Sequence, residues 1–320
     1  MGDPRGVALA LLCAISYGVA PSMARLAYDA GADVPTATTA RFVAGVLAVG
    51  MLVLISRRGL SLPARANWGS LGLGLLSTVT SLGYMGSIFF IPASLAVLIF
   101  YTFPLIVAVG ARWTEGEPLG WHKLAGLAVA FAGLCVALGV ELTQVDPRGL
   151  ALAGVAAFGA ATHILAISRV APLAGGSTLP LNLRSMSVAL AFNAVLLAAH
   201  GGPAWPVGDI GWLGLGGTAL FFTLGVTFMY AAVASLGPVR AAIIMNLEPL
   251  IAICAAILLL GEHFGLNQAV GAAMVLGAVA WVQLRRSRAV LMAAPVGPPG
   301  APPEPSPLRP AAKEGRTASR

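Results

Sequence analysis

The sequence is poor in charged residues. Only 10% of its 320 residues are Asp, Glu, Lys or Arg, whereas a soluble domain carries about 25%. Of its 19 basic and 12 acidic residues, eight lie in the last 35 positions, which leaves 23 for the first 285. So few charges cannot coat a water-exposed surface of that size. The composition, 58% hydrophobic, excludes an ordinary soluble protein and places the body of the chain in a lipid bilayer.

Cysteine and histidine are also scarce, with three and four residues. Cys13, Cys135 and Cys254 lie in separate apolar segments without CxxC or Cys–His spacing, which argues against a disulfide framework or a metal site. The sequence contains no HExxH motif, paired aspartates or Cys–His cluster. We therefore expect no enzyme, no catalytic residue, no metal and no cofactor.

Two features that suggest nucleotide or nucleic-acid binding have simpler interpretations. The net charge of +7 comes from scattered single residues without interleaved aromatics, so nucleic acid is not an expected partner. The segment 214–219 matches a dinucleotide fingerprint formally, but no strand precedes it. We interpret its glycines as positions of close helix packing.

Ten apolar segments are each long enough to cross a bilayer, which takes about 20 residues. They predict an all-α integral membrane protein with ten transmembrane helices. The predicted spans are 7–27, 36–56, 68–91, 93–112, 120–140, 149–168, 178–200, 212–235, 239–260 and 266–285.

The positions of Lys and Arg predict the orientation of these spans. With a cytoplasmic N-terminus, the inside segments hold eleven basic residues, and the outside loops hold only Arg25 and Arg148. Both termini are then cytoplasmic, in what we expect to be a bacterial inner membrane. Tryptophans at span ends fit the two membrane interfaces: Trp68, Trp113, Trp121 and Trp212.

The sequence repeats itself. At an offset of 145 residues, 92–136 aligns with 237–281 without a gap, and at an offset of 143 Arg41 aligns with Arg184. Each half contains five spans, an odd number, so the second half enters the membrane in the opposite sense. Such inverted repeats are typical of secondary transporters, whose substrate site lies near the midplane between the halves.

We expect a first five-helix repeat in 1–140 and a second in 141–288, followed by a tail in 289–320. The tail carries eight prolines between 295 and 310, so it is predicted to be a disordered cytoplasmic extension.

The repeated motif resembles that of a known family. In both halves Pro-Leu-Ile, at 104–106 and 249–251, is followed by Gly-Glu and a glycine-bearing helix. This pattern resembles the EamA domain pair of the drug/metabolite transporter superfamily. The resemblance covers roughly 6–285 and implies a ten-helix transporter that exports or exchanges small organic solutes. The first copy departs from the pattern, because Phe103 replaces the acid before Pro104.

Glu248 is the sharpest candidate for function. It lies nine residues into its span, about 14 Å deep at 1.5 Å per residue. A carboxylate at that depth needs a partner, a hydrated cavity or a proton. We interpret Glu248 as a coupling site for protons, and the alternative is a structural carboxyl group bonded to a neighbouring helix.

Other candidates are weaker individually. Arg41 and Arg184 would place one basic group at each mouth of a central cavity, suited to anionic groups, or they snorkel to headgroups. Pro104 and Pro249 predict helix kinks, with Tyr101 and Asn246 one turn earlier as lining groups. His163 is either a proton relay or a hydrogen-bonded structural residue. Aromatic residues that could line the cavity are Tyr17, Tyr84 and Tyr230.

The sequence therefore predicts a secondary active transporter, an exporter of small metabolites, amino acids or drugs, working by alternating access and coupled to protons. The alternative on the same fold is a translocase for lipids or lipid carriers, or a passive facilitator or exchanger.

Overall fold

The computed structural model describes residues 3–57, 59, 61–88, 90–91, 96, 99–115, 120–138, 146–175, 178–260, 265–267, 269–271, 273–275, 277–278 and 281. Much of the predicted span 266–285 and the whole tail 289–320 lie outside this part of the chain. Every regular element within it is helical. The all-α prediction is confirmed for these residues.

Within the described residues, ten helical elements have defined bounds, and they do not correspond one to one to the ten predicted spans. The predicted spans 7–27, 36–56 and 178–200 correspond to α1, α2 and α7 within three residues at each end. The elements are α1 (Pro4–Asp29), α2 (Val34–Ile55), α3 (Ala64–Ile88), α4 (Phe103–Glu115), α5 (Trp121–Leu138), α6 (Pro147–Leu173), α7 (Thr178–Ala199), α8 (Gly208–Leu236), α9 (Pro238–Met245) and α10 (Glu248–Leu260).

Among the described residues, six segments are long and apolar enough to cross a membrane by length and composition. They are α1, α2, α6, α7, α8 and the combined segment Pro238–Leu259, while shorter apolar stretches lie in α4 and α5. Leu47, Leu54 and Leu258 expose 68%, 72% and 82% of their surface. Lipid accounts for such exposure, because hydrocarbon chains are as apolar as leucine. The tryptophans predicted at the interfaces, 68, 113, 121 and 212, are all more than half exposed.

Two membrane segments are interrupted in the same way. Residues 99–100 are helical, a turn follows at Tyr101–Thr102, and α4 begins at Phe103; likewise α9 ends before a turn at Asn246–Leu247, and α10 begins at Glu248. In the first turn the Thr102 N–H donates to the Ile99 carbonyl at 3.0 Å, and in the second Leu247 donates to Ile244 at 3.0 Å. These two bonds occupy corresponding positions at the 145-residue offset.

The predicted kink residues belong to these interruptions. Pro104 and Pro249 are the second residues of α4 and α10. The N–H groups of the first helical turn have no acceptor within the helix, so a proline there costs no helical hydrogen bond. Each segment therefore stops and restarts instead of bending through the proline.

Glycines bring α1 and α8 into close antiparallel contact. A Cβ added at Gly214 would lie 2.7 Å from the backbone N of Ala27 and the carbonyl of Met23, and one at Gly225 would lie 2.7 Å from the Tyr17 ring. At the other end of the pair, Gly6 meets Ser235 and Leu236. Small residues permit such backbone approach in membranes. The interpretation of the glycines in 214–219 as packing positions is supported for Gly214 and Gly217, and it is wrong for Gly216, where a Cβ would meet no atom within 4 Å.

The pair α3 and α6 packs as α1 and α8 do. Gly149 of α6 lies against Phe90 and Ile91, the residues that correspond to Ser235 and Leu236. Both α1 and α6 begin with Asp-Pro-Arg-Gly, at 3–6 and 146–149. In each the aspartate accepts a hydrogen bond from the arginine N–H two residues on, at 3.0 and 2.8 Å. A side-chain acceptor at this position satisfies a free N–H of the first helical turn.

Candidate functional site

A cavity of about 620 Å³ lies between the two halves of the chain. Its lining residues come from α1, α2, α3, α4, α6, α8, α9 and α10 and from Phe100. Arg25, near the C-terminal end of α1 with a largely exposed side chain, marks the mouth. The lining consists of Tyr17, Ala20, Pro21, Ala24, Arg25, Tyr28, Val34, Arg41, Phe42, Ser77, Thr80, Ser81, Tyr84, Phe100, Phe103, Ala160, His163, Ile164, Phe222, Val226, Met229, Met245 and Glu248.

Glu248 lines this cavity as the first residue of α10. It is half-buried, and the Tyr101 hydroxyl group lies close to its carboxyl group. The start of a helix carries partial positive charge, which favours a carboxylate there. Phe103, the residue that corresponds to Glu248 in the first half, lines the same cavity. Of the two corresponding positions, Phe103 and Glu248, only the second therefore places an acid in the cavity wall.

Arg41 also lines the cavity, whereas Arg184 is not among the lining residues. Arg41 Nη2 donates to the Thr38 hydroxyl oxygen at 2.9 Å, and its Cζ lies 5.0 Å from the centre of the Phe222 ring. Arg184 donates a hydrogen bond to the Asn67 side chain on α3. The two arginines thus occupy different surroundings, and only Arg41 faces the large cavity.

Tyr101 and Asn246 lie together in a second, water-sized pocket. Its volume is about 10 Å³, and Pro104 and Pro249 are also among its lining residues. The two helix interruptions therefore meet at one place, beside the Glu248 end of the large cavity. From this pocket the hydroxyl group of Tyr101 lies close to the carboxyl group of Glu248.

His163 lines the large cavity and is bonded to a residue behind it. Its Nε2 lies 3.2 Å from the hydroxyl oxygen of Tyr230, which is 1% exposed. The chain has five tyrosines, and all five belong to this region. Tyr17, Tyr28 and Tyr84 line the cavity, and Tyr101 lines the small pocket. Tyr230, predicted to line the cavity, instead lies behind its wall and contacts His163.

Several residues that line the cavity were not predicted from the sequence. Ser77, Thr80 and Ser81 form a polar face of α3, and Phe222 supplies the ring beneath Arg41. The spacing of 77, 80 and 81 is a helical signal for one polar face inside an apolar span. No comparable signal marks Phe222, because a phenylalanine in a membrane helix can face lipid as readily as it lines a cavity.

Comparisons with known proteins decide the family. The model of the EamA-like transporter family matches residues 4–139 and again residues 147–284. The chain belongs to the EamA-like transporter family. This confirms the resemblance to the drug/metabolite transporter superfamily. Together with the apolar helices, membership makes the chain a multi-pass membrane protein of a transporter family.

Two similar proteins extend the comparison. "Uncharacterized protein PA1977" of Pseudomonas aeruginosa is 27% identical over 287 residues, which are 88% of this chain and 96% of that protein. One solved structure, titled only "Crystal structure of protein", superposes with a TM-score of 0.74 at 20% identity. It covers 90% of this chain and 99% of its own. At this identity the likeness shows a shared fold and nothing about substrate.

Proposed function

We propose that this EamA protein is a secondary active transporter that exports small organic solutes by alternating access, with Glu248 as the group that takes up and releases a coupling proton. The observation that carries the proposal is the place of Glu248. It lies in the wall of the cavity between the two halves, at a helix interruption, and a hydroxyl group from the other half lies close to its carboxyl group. Interrupted helices at a midplane site are typical of secondary transporters.

The packing supports two inverted five-helix repeats, in 1–140 and 141–288. Helix α8 is antiparallel to α1, as the contacts of Gly6, Gly214 and Gly225 require. Short connections join α6 to α7 and α7 to α8, so consecutive helices alternate in direction. Helix α6 then runs opposite to α1, although both begin with the same cap. This is the relation that an inverted repeat requires.

The two ends of the cavity support alternating access. Its mouth is at Arg25, where α1 ends and α2 begins. At the opposite ends of these helices Asp3 bonds to Ser235, and every residue of α9 except Arg240 is buried. In each state of an alternating-access cycle the site is open to one side of the membrane and closed to the other. A cavity with one open end and one packed end matches such a state.

The test of function is solute-dependent proton movement in proteoliposomes that contain a pH-sensitive dye. A pooled metabolite panel is applied to wild type, Glu248→Gln and the control Asp29→Asn. Asp29 is an exposed acid that pairs with Arg25 at the mouth. We expect a solute-dependent pH change with wild type and Asp29→Asn that Glu248→Gln loses. A pH change that persists in Glu248→Gln refutes its role as the coupling site.

Two other results would select the alternatives. Labelled solutes that move without any pH change indicate exchange or facilitation, in which Glu248 has no coupling role. Stimulation only by long-chain amphiphiles indicates a translocase for lipids or lipid carriers. Both readouts come from the same vesicles, so they are measured together with proton movement.

We also propose a bacterial inner-membrane location with both termini in the cytoplasm, as the positive-inside rule predicts. In a cysteine-free background, Val207→Cys and Ser56→Cys place one thiol near each end of the bundle; both positions are exposed. A membrane-impermeant maleimide should label residue 207 in intact cells and residue 56 only after lysis. The reverse pattern would invert the proposed orientation.

A further inference from the structure

The cavity presents one cationic group that has no anionic partner in the part of the chain that is described. Arg41 has five N–H donors on its guanidinium. Among the described residues it donates a single hydrogen bond, to Thr38, and its buried Nε has no acceptor. A buried donor without an acceptor costs free energy. An arginine kept in this state beside a cavity is suited to a ligand that brings the missing acceptors.

The acids of the cavity region are already engaged. Glu248 lies at the other end of the cavity lining, with the Tyr101 hydroxyl group close to its carboxyl group. Asp29 pairs with Arg25 at 2.8 Å, and Asp33 caps α2 and lies 3.7 Å from His200 Nε2. The cavity therefore offers an open cationic site at Arg41 without an equally open anionic one.

Aromatic rings surround Arg41 and continue from it toward Glu248. The Phe222 ring lies under the guanidinium, in edge contact with Phe42 at 5.2 Å and next to Tyr17 at 6.1 Å between ring centres. Tyr17 lines the same cavity as Arg41 and Glu248. Such walls hold a flat apolar body by area burial and ring stacking.

We infer that Arg41 and these rings recognise an aromatic organic acid, with the anionic group on the Arg41 guanidinium and the ring of the solute against Phe42, Phe222 and Tyr17. The inference rests on the proposed transport function and names its substrate class. A planar guanidinium matches a carboxylate with two parallel hydrogen bonds. Arg25, the other arginine of the lining, is already paired with Asp29 and does not take this role.

The test is equilibrium binding to the purified full-length protein in nanodiscs, measured by calorimetry with four probes. These are 3-phenylpropionate, its neutral amide, 3-phenylpropylamine and hexanoate. The acid and the amide share one shape and differ in charge, whereas hexanoate keeps the charge and lacks the ring. We expect 3-phenylpropionate to bind about tenfold or more tightly than the amide, as hydrogen bonds to a charged group provide. The amine and hexanoate should also bind more weakly.

Variants separate the role of Arg41 from general electrostatics. Arg41→Gln should remove the preference for the acid over the amide, and Arg25→Gln should retain it. Arg41→Lys keeps the charge without the planar fork, so an intermediate preference is expected, and it serves as a second test if Arg41→Gln does not fold. The inference is overturned if the amide or amine binds as tightly as the acid, if Arg41→Gln retains the preference, or if none of the probes binds.

Failure of this inference differs from failure of the proposed function. Vesicles that transport solutes from the panel without any preference for acids would refute the anion site and leave transport intact. Acid-selective binding that Arg41→Gln abolishes, in vesicles that transport nothing, would support the anion site and refute transport.

Discussion

The Tyr101 hydroxyl group lies close to the Glu248 carboxyl group, and this contact joins the helix interruption of one half to that of the other. Tyr101 lies in the turn that precedes α4, and Glu248 is the first residue of α10. A rearrangement of either half must act on this contact. The pair therefore provides a direct link between the protonation of one acid and the relative position of the two halves.

The first prediction concerns this contact. Tyr101→Phe removes the donor that the charged form of Glu248 needs at this depth, and hydrogen bonds to charged groups contribute roughly 1.5–3 kcal/mol. We expect solute-dependent proton movement in proteoliposomes to fall about tenfold or more. Tyr28→Phe, at the cavity wall near the mouth, is the control and should retain wild-type rates. Equal rates for both variants would contradict the link.

A second prediction concerns the close packing of α8 on α1. Gly214→Ala would place a Cβ 2.7 Å from backbone atoms of α1, which cannot move away as a flexible side chain can. Overpacking of this kind costs roughly 1–3 kcal/mol. We expect a clear decrease in the melting temperature of the detergent-solubilised protein.

Gly216 provides the matched control for this substitution. It lies two residues from Gly214 on the same helix, and a Cβ there would meet no atom within 4 Å. Gly216→Ala should change the stability by about 0.5 kcal/mol or less, as is usual away from packed features. A similar loss in both variants would show that helix propensity, and not contact with α1, determines the effect.

A third prediction concerns the pair behind the cavity wall. Tyr230→Phe leaves His163 without the hydroxyl group that lies 3.2 Å from its Nε2. The loss of one buried hydrogen bond costs about 1 kcal/mol. We expect a lower melting temperature, while Tyr28→Phe remains close to wild type. An unchanged melting temperature would show that the His163–Tyr230 pair adds nothing to the stability of the bundle.

Much of the helical architecture could be predicted from the sequence, because its physical causes are local. Apolar runs of about 20 residues predicted α1, α2 and α7 closely, since bilayer thickness fixes the length of a span. The turns at Tyr101 and Asn246 each precede a proline by three residues, which removes one helical N–H donor. Proline alone does not require a turn, because α1 continues through Pro21. The repeated Asp-Pro-Arg-Gly caps at 3–6 and 146–149 are also local signals, because an aspartate followed by proline favours a helix start.

The site could be predicted only in part, because neighbours in space are not encoded by local pattern. The depth of Glu248 marked it as a functional candidate, and it does line the cavity. Nothing in the sequence indicates that Arg41 faces the cavity while its counterpart Arg184 bonds to Asn67. The difference arises from how the two halves pack. The repeat in the sequence makes Arg41 and Arg184 equivalent and gives no information about this packing.

The last prediction concerns the contact that ties α1 to α8 at the end opposite the cavity mouth. The hydrogen bond from Ser235, together with the backbone N–H groups of Arg5 and Gly6, lowers the pKa of Asp3 below its ordinary value of 3.8. Because the folded pKa is lower than the unfolded one, the stabilisation is present above about pH 4 and is lost as the pH falls through the folded value. Ser235→Ala should therefore lower the melting temperature at pH 7, and its difference from wild type should shrink at pH 3. Ser187→Ala, which removes an exposed hydroxyl bonded to the Leu183 carbonyl within α7, should show no such pH dependence. A Ser235→Ala difference that is the same at both pH values would show that Asp3 does not carry the contact.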